Sequence, residues 1–432
     1  MDVISPSASV LKRFYRDPAR NLKLILSHEL DRLKPPGSDV RQAVTRTVYG
    51  VIRHRELLNL AIRTYSTRPL DRIRQDILPL LQIGVYLLLY SQSYPDYAVV
   101  NEIGNAAGVH ARGFVNAILR RVAVDKRALL ASFPQTPDLS TRYSIADILI
   151  DRLRLISDDI QADLEYLNRE PRFHLRVNTA KITVEEGKRM LNDHHVSFRE
   201  LEQFPSFEIK ESARVIRELL DRKLFYFQGT ASQMVSFIAS RYAQGKVLDC
   251  CAAPGTKSVT LALLHPGLTI FAGDIHLQRE TFIRDVIAQY GIPNIFPFVS
   301  DARFIAIKPR VDLVIADLPC TSSGTLRKNP DLKLKIDRES IAANANLQHA
   351  ILSSIMTLSP RHILYAVCSF IQEETEAIVE KLAASFEFQT MDLAPLLDTF
   401  GFRYQPGRYG YYLLPDDTLN NDLFYISLIR KN

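Results

Sequence analysis

Apolar residues recur at three- and four-residue spacing through the first 140 residues, whereas short apolar runs alternate with helical stretches beyond position 225. The first pattern is that of helices burying one face. Asp39–Tyr65, Leu70–Tyr90 and Ala98–Val122 carry it, and the breakers Pro35-Pro36-Gly37, Arg68-Pro69 and Tyr94-Pro95-Asp96 separate them. An all-α bundle is expected over 1–140. Its most apolar run, Ile77–Tyr90, contains Pro79 and Gln82 and is too short to span a bilayer, so it reads as a buried helix. The stretch from Phe133-Pro134 to Pro137-Asp138 reads as a linker.

Residues 142–225 are mixed. A helical stretch, Ile145–Asn168, leads into Arg172–Asn178, which alternates like a strand. Thr183 with Glu186 three residues on is a capping-box pattern that starts a helix, and Phe207–Ile209 reads as a further strand. A small α+β module over 141–224 is expected. From Phe225 onward the runs Lys246–Asp249, Leu268–Ala272, Ile295–Val299, Val311–Ala316 and His362–Val367 predict strands. Leu277–Tyr290 and Ser340–Leu358 predict helices between them, and Tyr409–Leu414 and Leu423–Ile429 predict two closing strands. Such alternation builds a parallel, doubly wound α/β sheet over 225–432.

Charge sharpens this division. The 432-residue chain has a net charge of +6, but residues 1–140 hold 20 Lys+Arg and 12 Asp+Glu, an excess of +8. The remainder holds 34 and 36, or −2. A basic excess confined to one segment fits a polyanion partner as well as a solvated basic surface. There is no apolar leader at the N-terminus, and none of the four cysteines lies in a CxxC pair or at zinc-ligand spacing. A cytoplasmic, monomeric protein attached to neither membrane nor metal is expected.

The candidate chemistry lies at strand ends. The first strand of the α/β region runs into Asp249-Cys250-Cys251-Ala252-Ala253-Pro254-Gly255-Thr256-Lys257-Ser258, and a helix follows. Open α/β sheets bind ligands at the carboxyl ends of their strands, and small residues there let backbone N–H groups approach a ligand. The loop is neither GxGxxG nor GxxxxGK[ST], which disfavours dinucleotide and ATP sites. Asp274, Asp301 and Asp317 end the next three strands. Each alone would read as a helix N-cap; together around one crevice they suit the hydroxyls of a ribose. Cys320 follows the fourth strand and Cys368 the fifth. One such cysteine is ordinarily a small buried hydrophobe. Two beside a ligand loop suit covalent attack on a pyrimidine ring, because a thiolate adds readily to C6, activates C5 and leaves again.

Taken together these motifs resemble the Sun/Fmu family of RNA 5-methylcytosine methyltransferases, and the likeness covers nearly the whole chain. Val48-Tyr49-Gly50-Val51-Ile52-Arg53 and Gly113-Phe114-Val115-Asn116-Ala117-Ile118-Leu119-Arg120-Arg121 are similar to its NusB-like domain. Leu175–Thr179, Phe225-Tyr226-Phe227-Gln228, Cys251–Lys257, Asp317–Cys320 with Arg327-Lys328-Asn329-Pro330-Asp331 behind it, and Cys368-Ser369 match in order and spacing. The resemblance implies an all-α NusB-like bundle, a small α+β module and an α/β Rossmann-like class I methyltransferase domain. It implies Cys368 as nucleophile, Cys320 as the group assisting product release, and Asp317 as the group that holds the cytosine edge. It further implies S-adenosylmethionine held by Cys251, Ala252, Ala253, Pro254, Gly255, Thr256, Lys257, Asp274, Asp301 and Asp317, and RNA, small-subunit (16S) ribosomal RNA foremost, as the partner.

The chain departs from the family at Gly255-Thr256, where two glycines are usual, at Val367 in place of threonine, at Lys333 in place of tryptophan, and at Asp422-Leu423, where glycine usually follows the acid. None of these removes a catalytic group. The alternatives are the same chemistry on transfer RNA, a non-catalytic RNA-binding assembly factor, and a DNA cytosine methylase with Cys320 as nucleophile. The intact Asp317, Cys320 and Cys368 argue against the second, and the helical domain against the third.

Overall fold

The computed structural model describes residues 3–32, 38–210, 214–305 and 310–431; the breaker at Pro35-Pro36-Gly37 lies outside them. The chain forms two compact units. One comprises Met1–Asp151 together with Asn329–Lys335, the other Arg152–Lys328 together with Ile336–Asn432.

The first unit is all-helical. The stretch expected over Asp39–Tyr65 is two helices, Ser38–Arg53 and Arg55–Tyr65, and Ala98–Val122 becomes Asp96–Ala106 and Val109–Val124. The second break falls at Gly108, whose φ of 76° lies in the left-handed region that glycine enters without strain. Leu78–Tyr90 is the buried central helix, with Leu81, Ile83, Val85 and Leu88 sealed from solvent. Its one interior amide, Gln82, donates from Nε2 to Asn59 Oδ1 at 2.8 Å, which offsets part of the penalty of burying it, while its Oε1 has no hydrogen-bond partner among the described residues. Phe133 packs into the same core, so the Pro-containing stretch around it is part of the bundle, and the unit continues to Asp151.

The second unit carries two sheets. In the smaller, β1 (Phe173–Val177), β2 (Phe198–Leu201), β3 (Ser206–Ile209) and β4 (Phe225–Phe227) lie antiparallel in the order β2-β3-β1-β4. The helix Val184–Asp193 beside them begins with the expected capping box: Thr183 Oγ1 accepts the Glu186 N–H, and the Glu186 carboxylate accepts the Thr183 N–H.

The larger sheet contains β5 (Lys246–Asp249), β6 (Thr269–Asp274), β7 (Ile295–Val299), β8 (Leu313–Asp317), β9 (His362–Val367), β10 (Phe388–Thr390), β11 (Tyr404–Pro406), β12 (Tyr411–Leu413) and β13 (Phe424–Lys431). Its order is β11-β12-β13-β9-β8-β5-β6-β7, with β10 paired to β13. The five strands β5 to β9 are mutually parallel, while β13 runs antiparallel to β9. From β5 the chain winds outward through β6 to β7, then returns to the other side of β5 for β8 and β9. The direction therefore reverses between β5 and β8, the position at whose carboxyl edge open α/β sheets place their ligand crevice.

Candidate active site

Strand register decides which residues meet at that edge. Asp249 at the end of β5 pairs with Ala272 of β6 on one side and Ile315 of β8 on the other, and Asp317 at the end of β8 pairs with Ala366 of β9. Segments leaving β5, β8 and β9 are thus neighbours. The segment after β5 turns at once into the helix Thr256–Leu264. Gly255 makes the turn at φ 94°, and a Cβ there would lie 3.3 Å from Ile283. Thr256, where the family resemblance leads one to expect a second glycine, is the first residue of the helix, so its branched side chain meets no backbone restriction.

Lys257 crosses the crevice. Its ammonium donates to Asp317 Oδ2, so this loop residue stands in the cysteine neighbourhood as well as in the expected cofactor loop. Burial works against its charge, but the carboxylates of Asp317 and Asp249 outweigh burial and hold its pKa above the ordinary lysine value. Asp249 itself is sealed from solvent; Ser258 Oγ donates to its Oδ2 at 2.6 Å, and its Oδ1 has no protein partner. Burial raises its pKa to about 6, with the Ser258 hydroxyl and the Lys257 charge opposing.

The two cysteines meet. Leu318 N–H donates to Ala366 O at 3.1 Å and Gly324 N–H to Cys368 O at 3.0 Å, so the loops after β8 and β9 run side by side. The sulfurs of Cys320 and Cys368 lie 3.5 Å apart. Ser322, in a left-handed conformation at φ 58°, brings its hydroxyl to 3.4 Å from Cys368 Sγ, while its N–H points to Cys320 Sγ at 3.4 Å. The pair is asymmetric. Cys368 lies below the usual thiol value because the Cys320 thiol donates to it, with Ser322 and the Lys257 charge assisting against burial. Cys320 is pushed well above, first by that same hydrogen bond, then by burial and by the Glu374 carboxylate. The hydrogen bond between the two sulfurs thus favours proton loss at Cys368 over proton loss at Cys320.

Asp274 is buried at the end of β6 and accepts the His276 N–H on Oδ1 at 3.1 Å; its charge reaches Asp249. Asp301 follows β7, accepts the Arg303 N–H as the cap of the turn Ala302–Phe304, and pairs with the Arg303 guanidinium. Of the acids named from sequence, Asp317 is joined to the cysteine neighbourhood through Lys257, Asp274 stands at the next strand end, and Asp301 is engaged in its own turn. Cys251 is half-buried in the loop.

Sequence reasoning missed Glu374 and Ser322. Glu374 sits in a Gln-Glu-Glu run that reads as a solvated turn, and Ser322 in a serine-rich loop. The sole signal was their closeness in sequence to the two cysteines.

Residues 238–430 match the RsmB/F family of 16S rRNA methyltransferases, and residues 9–124 match the NusB family. The chain is 28% identical over 420 residues to the ribosomal RNA small subunit methyltransferase B of Citrobacter koseri, covering 94% of this chain and 95% of that one. It is 27% identical over 399 residues to the probable ribosomal RNA small subunit methyltransferase B of Coxiella burnetii, covering 89% and 91%. Among solved structures, PH0851 superposes with a TM-score of 0.76 at 22% identity, covering 100% of this chain and 98% of that one. NSun6 from Pyrococcus horikoshii with SFG gives 0.56 at 18% identity, covering 66% and 97%. At these identities the two structures bear on the fold alone.

Proposed function

We propose that this chain, which matches the RsmB/F methyltransferase family over residues 238–430 and the NusB family over residues 9–124, transfers a methyl group from S-adenosylmethionine to carbon 5 of a cytosine in small-subunit ribosomal RNA. The observation that carries the proposal is the pair of sulfurs 3.5 Å apart, beside a carboxylate–ammonium pair in one crevice.

The crevice suits the cofactor. Asp249 Oδ1 is a buried acceptor left without a protein donor, Gly255 leaves the loop open to close approach, and Asp274 presents a carboxylate at the next strand end for ribose hydroxyls. Cys251–Lys257, Asp274 and Asp301 would hold it. When bound it supplies an electrophilic methyl on a sulfonium.

The residues divide the remaining work. Cys368, the anionic sulfur, adds to C6 of the cytosine and turns C5 into an enamine carbon able to take the methyl. Asp317, with Lys257 beside it, holds the cytosine edge and favours the protonated ring that accepts the thiolate. Cys320 carries the proton that steadies the Cys368 thiolate before attack. After transfer a base takes the C5 proton, the C–H electron pair re-forms the C5–C6 double bond and Cys368 leaves as thiolate; Cys320, once its own proton has passed to solvent, is placed to be that base.

Bisulfite sequencing of total RNA from cells with and without this gene tests the proposal. The expected result is one cytosine of small-subunit ribosomal RNA that resists conversion solely when the gene is present. A gene-dependent signal confined to transfer RNA would move the target, and no gene-dependent cytosine at all would overturn the chemistry.

A further inference from the structure

We propose that Glu374 is a positioning residue for the reaction: its buried carboxylate ties the turn after Cys320 to the turn after Cys368 and thereby fixes the two sulfurs relative to each other. The inference rests on the reading of these cysteines as the reacting pair.

Glu374 ends the turn Gln372–Glu374 and is fully buried. Its Oε1 accepts the Thr321 N–H at 2.7 Å, and its Oε2 accepts the Thr321 hydroxyl at 2.7 Å and the Ser369 hydroxyl at 2.5 Å. Thr321 and Ser369 are the residues immediately after Cys320 and Cys368. One carboxylate therefore grips both cysteine loops, one position beyond each sulfur. The grip is itself held: the Glu374 backbone carbonyl accepts the Tyr365 hydroxyl at 2.5 Å, and Ser369 Oγ accepts the Ile371 N–H at 3.1 Å and lies 3.0 Å from Ser323 Oγ.

Burying a carboxylate is unfavourable unless donors replace the lost water. Here three donors converge on the carboxylate; burial raises its pKa above the usual glutamate value, and the Ser369 and Thr321 hydrogen bonds oppose that rise. An apolar side chain could fill the same space, but it could not hold two loops in register. Glu374 touches neither sulfur. It acts through Thr321 and Ser369, and its charge is among the influences that keep the Cys320 thiol protonated, which preserves the order of roles in the pair.

The test uses full-length Glu374→Gln, alone and combined with Cys368→Ser. Glutamine keeps the shape but loses an acceptor and the charge. In the single variant we expect kcat to fall about 10- to 100-fold, as for a sub-ångström misplacement of reacting groups, with KM for RNA and for S-adenosylmethionine within about 3-fold. In the double variant, iodoacetamide labelling of Cys320 followed by peptide mass spectrometry across pH should reach its midpoint at lower pH than in Cys368→Ser alone. The midpoint reads the influence of the Glu374 charge on Cys320, and the fall in kcat at nearly unchanged KM reads the positioning of the two loops. If Glu374→Gln fails to fold, Thr321→Val, which deletes one donor at constant size, should lower kcat in the same way by a smaller factor. Unchanged kcat with an unchanged labelling midpoint overturns the proposal, as does a loss of kcat matched by loss of cofactor binding with the midpoint unmoved. The labelling needs no turnover, so it still reads the influence of Glu374 on Cys320 if the wild-type protein methylates no cytosine.

Discussion

Asp249 shows how much one residue at the switch point can shape stability. Its carboxyl is raised from an ordinary 3.8 to about 6, chiefly by burial. A carboxyl raised on folding holds its proton more tightly in the native state. It therefore favours folding below about pH 4, and that contribution is lost as pH rises from about 4 to 6. Above pH 6 the buried charge opposes folding by about 3 kcal/mol, the equivalent of two pKa units. Asp249→Asn keeps an acceptor for the Ser258 hydroxyl and removes the charge. The cofactor-free variant is expected to melt higher than wild type at pH 7.5 and to lose that advantage near pH 4. Thermal melts at the two pH values check this; a lower melting temperature at pH 7.5 would contradict it. The same residue marks a limit of sequence reading. That Asp317, Cys320 and Cys368 would come together was legible because all three end or follow strands at one edge of the sheet. Glu374 was not, because nothing in a Gln-Glu-Glu run distinguishes a buried acid with three donors from three solvated side chains. That distinction is made by tertiary contacts with Thr321 and Ser369.

At the scale of elements, the parallel strands were legible because their runs are apolar and bounded: β5, β7 and β9 have the bounds their runs predict, and β6 and β8 fall within two residues of theirs. The short strands β2, β4, β10 and β11 were not read as strands, since three or four residues carry too little alternation to register. Helix breaks at His54 and Gly108 were also missed; one residue in the first case and two in the second interrupt the chain without disturbing the apolar period. The helix Val109–Val124 brings the charge argument down to one element. His110, Arg112, Arg120 and Arg121 are exposed on it, and no carboxylate occurs from Ile103 to Val124. Arg112 donates to Asn101, and none of these arginines forms an ion pair among the described residues. Replacing Arg112, Arg120 and Arg121 with glutamine should weaken RNA binding and reduce the slope of log affinity against log salt by about 2, at about 0.7–0.9 per phosphate contact. Filter binding at several salt concentrations measures it. An unchanged slope would remove this helix from the RNA-binding surface, and S-adenosylmethionine affinity should stay as in wild type.

The whole molecule explains why that experiment uses substitutions instead of truncation. Sequence order suggests that residues 1–140 could be removed cleanly, but Asn329–Lys335, far along the chain, belongs to the helical unit. Lys333 is buried there, its ammonium donating to Arg53 O at 3.2 Å and Tyr143 O at 2.8 Å. A lysine reads as exposed from sequence, and only the fold shows both carbonyls waiting for it. Cutting the helical unit away would strip Lys333 of these acceptors and confuse a binding defect with a folding one. The fold class itself was legible at this scale, since helical and strand periods fill separate halves of the chain. The account as a whole stands on the roles of two sulfurs, and one denaturing gel reads both. Wild type, Cys320→Ser and Cys368→Ser are each incubated with small-subunit ribosomal RNA and S-adenosylmethionine. Cys320→Ser should accumulate a slowly migrating protein–RNA adduct because attack proceeds and release stalls, while Cys368→Ser should give neither adduct nor methylation. An adduct with Cys368→Ser and none with Cys320→Ser would reverse the roles, and full methylation by both variants would contradict the account.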